Sequence, residues 1–237
     1  MQSRYRLFVR SLGLIFAFTL CLAALNMPHK ARAAQNNKIQ LSVDAGYASY
    51  YRANDWVPLL VTVTNSGPDI SGQLRVTGFG TSSLSAGEYA TDIDLPNQST
   101  KQVFLYVTLG STQQVKVELA TDFGVIADQS PNLKLVQSNE QIYAVITDSP
   151  RGTVDLQPAH TGAGNAYQVN WHIENIPDSG QALDGLDVLM LTDVDSGTLT
   201  INQRQAIQEW IRTGGHLVVT GGPTGRKLRL VSLIYFQ

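Results

Sequence analysis

The stretch from Leu183 to Gly222 constrains the fold more than any other part of this chain. It opens with a continuous apolar run, Val188–Leu191, which is typical of a strand buried on both faces of a parallel sheet. Thr200 then stands three residues before Gln203, the spacing of a capping box at a helix start. These signals predict a strand followed by a helix.

The same stretch continues with a helix face, a helix end and a second strand. Ile207, Trp210 and Ile211 recur at helical spacing, so one face of the helix is apolar. Gly214-Gly215 predicts its end, because glycine adopts the left-handed cap conformation at low cost. Leu217–Val219 follows as another buried strand. A right-handed crossover joins such strands, and the stretch therefore predicts an α/β unit.

These residues also carry a resemblance to a known family. Leu-Asp-Gly-Leu-Asp-Val-Leu-Met-Leu, followed by Gln-Arg-Gln-Ala-Ile-Gln-Glu-Trp-Ile-Arg-Thr-Gly-Gly-His-Leu-Val-Val-Thr-Gly-Gly, resembles the class I glutamine amidotransferase-like superfamily. More narrowly, it resembles non-catalytic members found in exported bacterial envelope proteins behind an immunoglobulin-like domain. The resemblance covers residues 141–222. It implies a partial flavodoxin-like, parallel-sheet α/β domain over residues 138–222.

Residues 34–137 have a different pattern, in which apolar and polar residues alternate in short runs separated by turn-forming residues. Such alternation gives each strand one buried face and predicts an antiparallel β-sandwich. The segment Trp56–Asn65 resembles the opening strands of bacterial immunoglobulin-like modules, and Trp56 is expected to be a core or interface plug. The predicted strands are Val57–Thr64, Leu74–Phe79, Tyr89–Leu95, Val103–Leu109, Val115–Leu119 and Leu133–Val136.

The pattern changes again from Ser138 onwards. Ile142–Ile146 predicts the first strand of the α/β part, and the alternation of Val169, Trp171 and Ile173 predicts its second. Residues 177–184 are expected to form a short turn or helix. The fold class predicted for the whole chain is therefore β plus α/β, with an N-terminal sandwich followed by a parallel-sheet domain.

The N-terminal 33 residues have the features of a secretory signal peptide. Three arginines precede an apolar run, Leu12–Leu25, and Ala31-Arg32-Ala33 offers a cleavage point before Ala34. The run is shorter than the ~20 residues of a typical membrane span, so an uncleaved anchor is the weaker alternative. Cys21 is the one cysteine of the chain, and the mature protein would therefore contain no disulfide and no cysteine nucleophile.

Charge and the C-terminal residues bear on partners. A net charge of −2 and a pI near 6.0 give no indication of a nucleic-acid partner. The expected partner is an envelope protein or a small polar ligand. Contact with a membrane is expected only through the N-terminal segment, if uncleaved, or through missing C-terminal sequence. Residues 223–237 form an atypical tail that reads as the end of a fragment or a frame-shifted end, or alternatively as an added edge strand over Leu230–Phe236.

Ligands of open α/β sheets bind outside the carboxyl ends of the strands, and polar residues follow three predicted strands here. The acidic pair Asp193 and Asp195 offers oxygen ligands for a hard cation, but aspartates also cap turns routinely. Capping is favoured because no third acid accompanies them, so neither a metal nor a cofactor is expected. The candidate residues for binding a small polar or anionic ligand are Asp148, Ser149, Asp193, Asp195, Ser196, Thr220, Gly221 and Gly222.

No catalytic residue is predicted. Catalytic amidotransferases carry a cysteine at the turn after a strand like Leu217–Val219, where this chain has Thr220-Gly221-Gly222-Pro223. A Gly-x-Ser-x-Gly elbow is also missing from the sequence. His216 precedes that strand, at the wrong end to act as a base. The sequence therefore predicts a non-catalytic extracytoplasmic binding or scaffolding protein. The alternative is a fragment of an extracytoplasmic hydrolase or amidotransferase-like enzyme whose catalytic residues lie in missing C-terminal sequence.

Overall fold

Period-2 alternation in the first half of the chain builds two antiparallel sheets that pack face to face. A computed structural model describes residues 38–79, 89–111, 114–148 and 154–220. In chain order its main elements are β1 (Ile39–Ala45), β2 (Tyr50–Arg52), β3 (Trp56–Asn65), β4 (Ile70–Phe79), β5 (Tyr89–Leu95), β6 (Ser99–Thr108), β7 (Gln114–Thr121), β8 (Gly124–Gln129), β9 (Lys134–Val136), β10 (Gln141–Ile146), β11 (Ala166–Trp171), β12 (Val188–Thr192), α1 (Ile201–Arg212) and β13 (His216–Thr220).

The sandwich consists of a three-stranded sheet, β1-β3-β6, and a four-stranded sheet, β5-β4-β7-β8. Neighbouring strands in both sheets are antiparallel. Lettered A to G without β2, the sheets read A-B-E and D-C-F-G. This is the immunoglobulin arrangement with strand D moved to the other sheet. The predicted β-sandwich is confirmed, and alternate residues such as Leu59 and Leu119 fill its core.

Two details of the sandwich differ from the prediction. Leu133–Val136 was expected to belong to it, but the observed strand β9 pairs in parallel with β2, outside both sheets. Strands β1, β2 and β8 are missing from the predicted set. β1 carries the alternation Ile39, Leu41, Val43 and Ala45, a signal that would have identified it. β8 is only partly buried, so its pattern is weak.

The second half of the described chain forms a four-stranded sheet in the order β11-β10-β12-β13, with every neighbouring pair parallel. We call residues 141–220 the parallel-sheet lobe. One face of its sheet packs on α1 through Ile207 and Trp210. The predicted strand–helix–strand unit is present as β12, α1 and β13. Ile173 was expected to continue the second strand but instead begins a 3-10 helix, Ile173–Asn175.

The helix boundaries follow the predicted local chemistry. The Thr200 side chain accepts a hydrogen bond from Gln203 N, and Gln203 Oε1 accepts one from Thr200 N, which completes the capping box. Gly214 lies at φ 112°, in the left-handed region that ends the helix. The residues expected to form a short turn or helix contain a 3-10 helix, Gly180–Leu183.

Several predictions fall on residues outside the described ranges. These are the signal peptide over residues 1–33, Cys21, and the C-terminal tail over residues 223–237. Within the described ranges, no helix is both long enough and apolar enough to cross a membrane.

Candidate functional site

The residues predicted to bind a ligand lie at the carboxyl edge of the parallel sheet. Ile146 of β10 pairs in register with Leu191 of β12, which pairs with Val219 of β13. The residues that follow these positions therefore emerge at the same edge, which brings Asp148, Asp193 and Thr220 to one side of the sheet. Ser149, Gly221 and Gly222 lie outside the described residues.

The acidic residues at this edge also serve the turn after β12. Asp193 is only 3% exposed and lies at φ 46°, a left-handed conformation that aspartate tolerates better than most residues. Asp195 Oδ1 accepts a hydrogen bond of 2.9 Å from Gly197 N and so caps the short helix Ser196–Thr198. Ser196 is buried. The capping role predicted for Asp195 is confirmed, while ligand binding at this edge stays a prediction.

The described ranges offer little for binding a metal ion. No group of three or more His, Cys, Asp or Glu side chains within them is placed to hold a metal ion. Asp148 and Asp195 are the exposed carboxylates of the predicted set. Their solvated position leaves them accessible to a polar ligand.

The opposite, amino edge of the parallel sheet contains a cleft of about 680 Å³ that sequence reasoning missed. Gln141, Val188 and His216 line it, one near the start of each of three neighbouring strands. His216 is exposed and lies at the amino end of β13, as predicted. Asp184 also lines the cleft, and burial, followed by the nearby negative charges of Asp55 and Glu209, raises the pKa of its carboxyl.

Several side-chain hydrogen bonds and an ion pair join the sandwich half of the chain to the parallel-sheet lobe at a junction. It begins at the tight turn between β1 and β2. Gly46, Ala48 and Ser49 have φ values of 61°, 48° and 77°, all in the left-handed region. Such conformations are costly for the two non-glycine residues, and they turn Tyr47 away from the sandwich core.

Tyr47 enters the core of the parallel-sheet lobe, where it is 1% exposed. Its hydroxyl donates to Ala182 O at 3.0 Å and accepts from Gly185 N at 3.2 Å. Burial raises the pKa of this hydroxyl well above its usual range. A Cβ on Gly185 would approach the Tyr47 ring to 2.6 Å, so the glycine leaves the space that the ring occupies. Tyr47 therefore fixes the turn of one lobe in the core of the other.

Arg52 of β2 provides a second connection. Its Nε donates to Gly185 O at 3.1 Å, and its Nη2 forms an ion pair of 2.7 Å with Asp187 Oδ2. Nη1 and Nη2 also donate to Gln137 O at 3.2 Å and Glu140 O at 2.8 Å. The guanidinium fork thus joins β2 both to the connection between the lobes and to the start of β12.

The outer face of β3 supplies the apolar part of the junction. In Val57–Val61 every residue is buried, whereas alternation would leave every second one exposed. Pro58 and Leu60 point away from the sandwich core, and β3 contacts the 3-10 helix Gly180–Leu183. The continuous apolar run 57–61 was the sequence signal for this contact, because such runs are typical of strands buried on both faces.

Part of the chain is similar to known proteins. A family model described as a domain of unknown function (DUF8726) matches residues 38–134. No curated protein matches the chain significantly in sequence.

Solved structures similar to the chain include the CARDB domain of the PF1109 protein from Pyrococcus furiosus, in complex with di-metal ions. That domain is 16% identical with a TM-score of 0.33, over 42% of this chain and 90% of that one. The β-glucosidase from Listeria innocua is 9% identical with a TM-score of 0.30. The match covers 41% of this chain and 16% of the β-glucosidase. Spo0M, a sporulation control protein from Bacillus subtilis, is 11% identical with a TM-score of 0.29. The match covers 43% of this chain and 50% of Spo0M.

The chain therefore spans half or less of the last two proteins. Likenesses this distant carry no conclusion about activity, and the assignment of a β-sandwich rests on the chain's own sheets.

Proposed function

We propose that this protein is a non-catalytic binding or scaffolding protein of the cell envelope. In it, an immunoglobulin-like sandwich is fixed against an amidotransferase-like α/β domain. The strand order β11-β10-β12-β13 supports the second part. Numbered within the lobe it reads 2-1-3-4, the order with which flavodoxin-like sheets begin. The signal-peptide features of residues 1–33 support export.

The junction is the observation that carries the proposal. Domains joined by a small polar contact move relative to one another, whereas a buried, well-bonded contact holds them fixed. Tyr47 and Arg52 bond across the junction, and the described residues of both lobes belong to one compact unit. A fixed relative orientation suits a protein that presents two surfaces to partners.

The sequence supports the absence of covalent catalysis. Cys21 is the only cysteine, and it precedes the predicted cleavage point. Removal of a nucleophile lowers the rate of such reactions by several orders of magnitude. Asp195, at the edge where a ligand would bind, is engaged in capping a turn. Recognition of a partner or ligand therefore accounts for this edge better than chemistry does.

Localisation and covalent labelling test the proposal together. In the native host, the protein should be recovered from the extracytoplasmic fraction with an N-terminus at or near Ala34. A membrane-impermeant cross-linker applied to intact cells should join it to a discrete envelope partner. The purified protein should neither hydrolyse glutamine nor react with acyl- or thiol-directed probes. Retention in the cytoplasm, or a stoichiometric covalent adduct on any residue after Ala34, would refute the proposal.

A further inference from the structure

A second cleft, of about 350 Å³, lies at the junction between the outer face of the sheet β1-β3-β6 and the end of β11. We call it the junction cleft. Its volume lies in the range of small-molecule sites, which occur preferentially where two parts of a protein meet. We propose that the junction cleft binds a neutral pyranose sugar. This inference stands on the cleft alone and does not depend on the proposed scaffolding role.

One wall of the cleft is a row of three side chains across the sheet. Asp44 of β1 pairs in register with Leu60 of β3, and Leu60 pairs with Phe104 of β6. All three line the cleft. Directly opposite residues of a sheet project on the same side, so a carboxylate, an aliphatic chain and an aromatic ring stand side by side. Phe104 is half-buried and stacks on Tyr106, with ring centroids 6.0 Å apart, which fixes the ring orientation.

This row differs from the neighbouring row on one side of it. The next row towards the far end of the sheet pairs Ser42, Thr62 and Gln102, all polar and away from the cleft. Gln102 Nε2 donates to Thr62 Oγ1 at 3.3 Å, so the polar groups of that row bond to each other. The row of Asp44, Leu60 and Phe104 therefore differs from this polar row in combining a carboxylate with an aliphatic and an aromatic side chain.

The facing wall supplies hydrogen-bond donors. Asn170 and Asn175 line it, at the end of β11 and in the 3-10 helix that follows. Asn170 Oδ1 accepts from Gln168 Nε2 at 3.1 Å, and Asn175 Oδ1 accepts from His172 N at 2.9 Å. These bonds orient both amides. Over the described residues, neither Nδ2 group has an acceptor, and the Asp44 carboxylate has no hydrogen-bond or ion-pair partner.

The lining selects among classes of ligand. A sugar ring presents an apolar C–H face together with hydroxyls that both donate and accept. The Phe104 ring and the Leu60 side chain can contact the apolar C–H face. The Asp44 carboxylate and the two amides can form hydrogen bonds with the hydroxyls. The described lining contains a carboxylate but neither lysine nor arginine, which disfavours an anion. An ammonium has only donors and would leave both amides unused.

The turn that carries Tyr47 also borders the cleft. Ala48 and Ser49, both with left-handed backbone conformations, line its rim. Strained residues persist where the surrounding structure holds them, and they occur preferentially at ligand sites. Because Tyr47 anchors this turn in the other lobe, the rim is held in place before any ligand arrives.

Ligand titration with matched variants tests the inference. The probes are D-glucose, D-galactose and N-acetyl-D-glucosamine. Their binding to residues 34–237 is measured by saturation-transfer NMR and calorimetry. We expect saturable binding of at least one sugar, with a Kd of about 1 mM, as suits a ligand of this size. Asp44→Asn and Phe104→Ala should each weaken binding at least tenfold. Gln102→Ala, one row away on the same strand, should leave the Kd unchanged.

Folding and competing ligands are controlled separately. Asp44 is exposed, so Asp44→Asn preserves the fold, and melting curves of every variant verify this. If a tetrasaccharide binds more tightly than its monosaccharide, the natural ligand is a glycan chain. If the two bind equally tightly, the natural ligand is a free sugar. Both results support a pyranose site. The inference is overturned if none of the sugars binds, if Asp44→Asn and Phe104→Ala leave binding intact, or if methylammonium or glucose 6-phosphate binds more tightly than the neutral sugars.

Discussion

Tyr47 joins the two lobes through both its ring and its hydroxyl. In sequence it lies between β1 and β2, but its side chain is part of the core of the parallel-sheet lobe. Its ring also lies 5.8 Å from that of Trp171, between centroids. A single side chain thus combines apolar burial with two hydrogen bonds to the main chain. Loss of the hydroxyl alone separates these contributions.

Tyr47→Phe should destabilise the protein without altering its packing. The ring stays, but Ala182 O loses its donor and Gly185 N its acceptor, both in a buried environment. Buried polar groups left without a partner cost about 1–3 kcal/mol. Urea unfolding followed by circular dichroism measures the loss. Tyr89→Phe is the matched control, because the Tyr89 hydroxyl makes no hydrogen bond within the described chain, and it should change stability by no more than about 0.5 kcal/mol. Equal effects of the two substitutions would contradict the role of Tyr47.

Glu140 makes stability dependent on pH at the connection between the lobes. Its carboxylate accepts hydrogen bonds from Gln137 N at 2.9 Å, Asn165 Nδ2 at 2.8 Å and Tyr167 Oη at 2.9 Å. These bonds, with that of Gln137 N the largest contribution, hold the pKa of Glu140 below its usual value. The folded state therefore binds the proton less readily than the unfolded state.

The direction of the effect follows from that lowered pKa. The stabilisation from Glu140 is complete above the ordinary glutamate pKa of about 4.3 and is lost as the pH falls through the lowered value. In Glu140→Gln, the melting temperature should be lower than in the wild type at pH 7, and the gap should narrow below about pH 4. Differential scanning calorimetry from pH 7 to pH 3 measures this. A gap that stays constant with pH would show that the charge of Glu140 contributes nothing.

At the scale of elements, one helix and one strand show how far local patterns predict structure. α1 begins and ends where its capping box and glycine indicated. β3 follows the alternating pattern at its end, where Val63 is buried and its neighbours Thr62 and Thr64 are half-exposed. Its first half departs from that pattern because a second lobe covers its outer face. A strand that is covered on one face alternates between apolar and polar residues, whereas a strand that is covered on both faces is apolar throughout.

Gln203 has a larger role than its place in the capping box suggests. Besides Thr200, its side chain bonds to Ile173 O at 3.1 Å and Ile176 O at 2.8 Å, and it is buried. Thr200→Ala should cost about 1 kcal/mol, as is usual for an N-cap. Gln203→Ala should cost about 2 kcal/mol or more, because two main-chain carbonyls also lose their donor. Chemical denaturation measures both. Gln205 is exposed on the same helix, so Gln205→Ala should leave the free energy of unfolding nearly unchanged. If Gln203→Ala destabilises the protein no more than Thr200→Ala does, the additional role of Gln203 is ruled out.

At the scale of the whole molecule, the sandwich has a core of its own but shares its outer face. Its buried cluster runs from Ile39 to Leu133 without a residue of the parallel-sheet lobe. The outer positions Pro58 and Leu60 are buried but lie outside that cluster, and their strand contacts the parallel-sheet lobe. These two facts lead to different expectations for the isolated sandwich.

Residues 34–137 produced alone should fold into a cooperatively unfolding β protein, because the apolar cluster is complete. The uncovered face around Pro58 and Leu60, together with Tyr47, should make it bind a hydrophobic dye that the full chain does not bind. Circular dichroism, urea unfolding and dye fluorescence measure these properties. Residues 34–137 with Leu60→Thr should bind less dye and still unfold cooperatively. A molten or insoluble product in both cases would mean that the sandwich requires the other lobe to fold.

The sequence by itself determined the local structure of this protein: two classes of strand periodicity, the capped helix α1 and its glycine end. These features depend on neighbours within a few residues, whose spacing is visible in the chain. The carboxyl-edge residues Asp148, Asp193 and Thr220 were also predictable as a group, because parallel strands end together. Tertiary structure alone decided which surfaces meet. Tyr47 and Ala182 lie 135 positions apart, and Asp44 reaches the same cleft as Asn175 only through the packing of two lobes. The apolar run 57–61 shows that β3 is covered on both faces, but spacing within the chain does not show by which residues, so only the folded chain reveals the partners at the junction and its cleft.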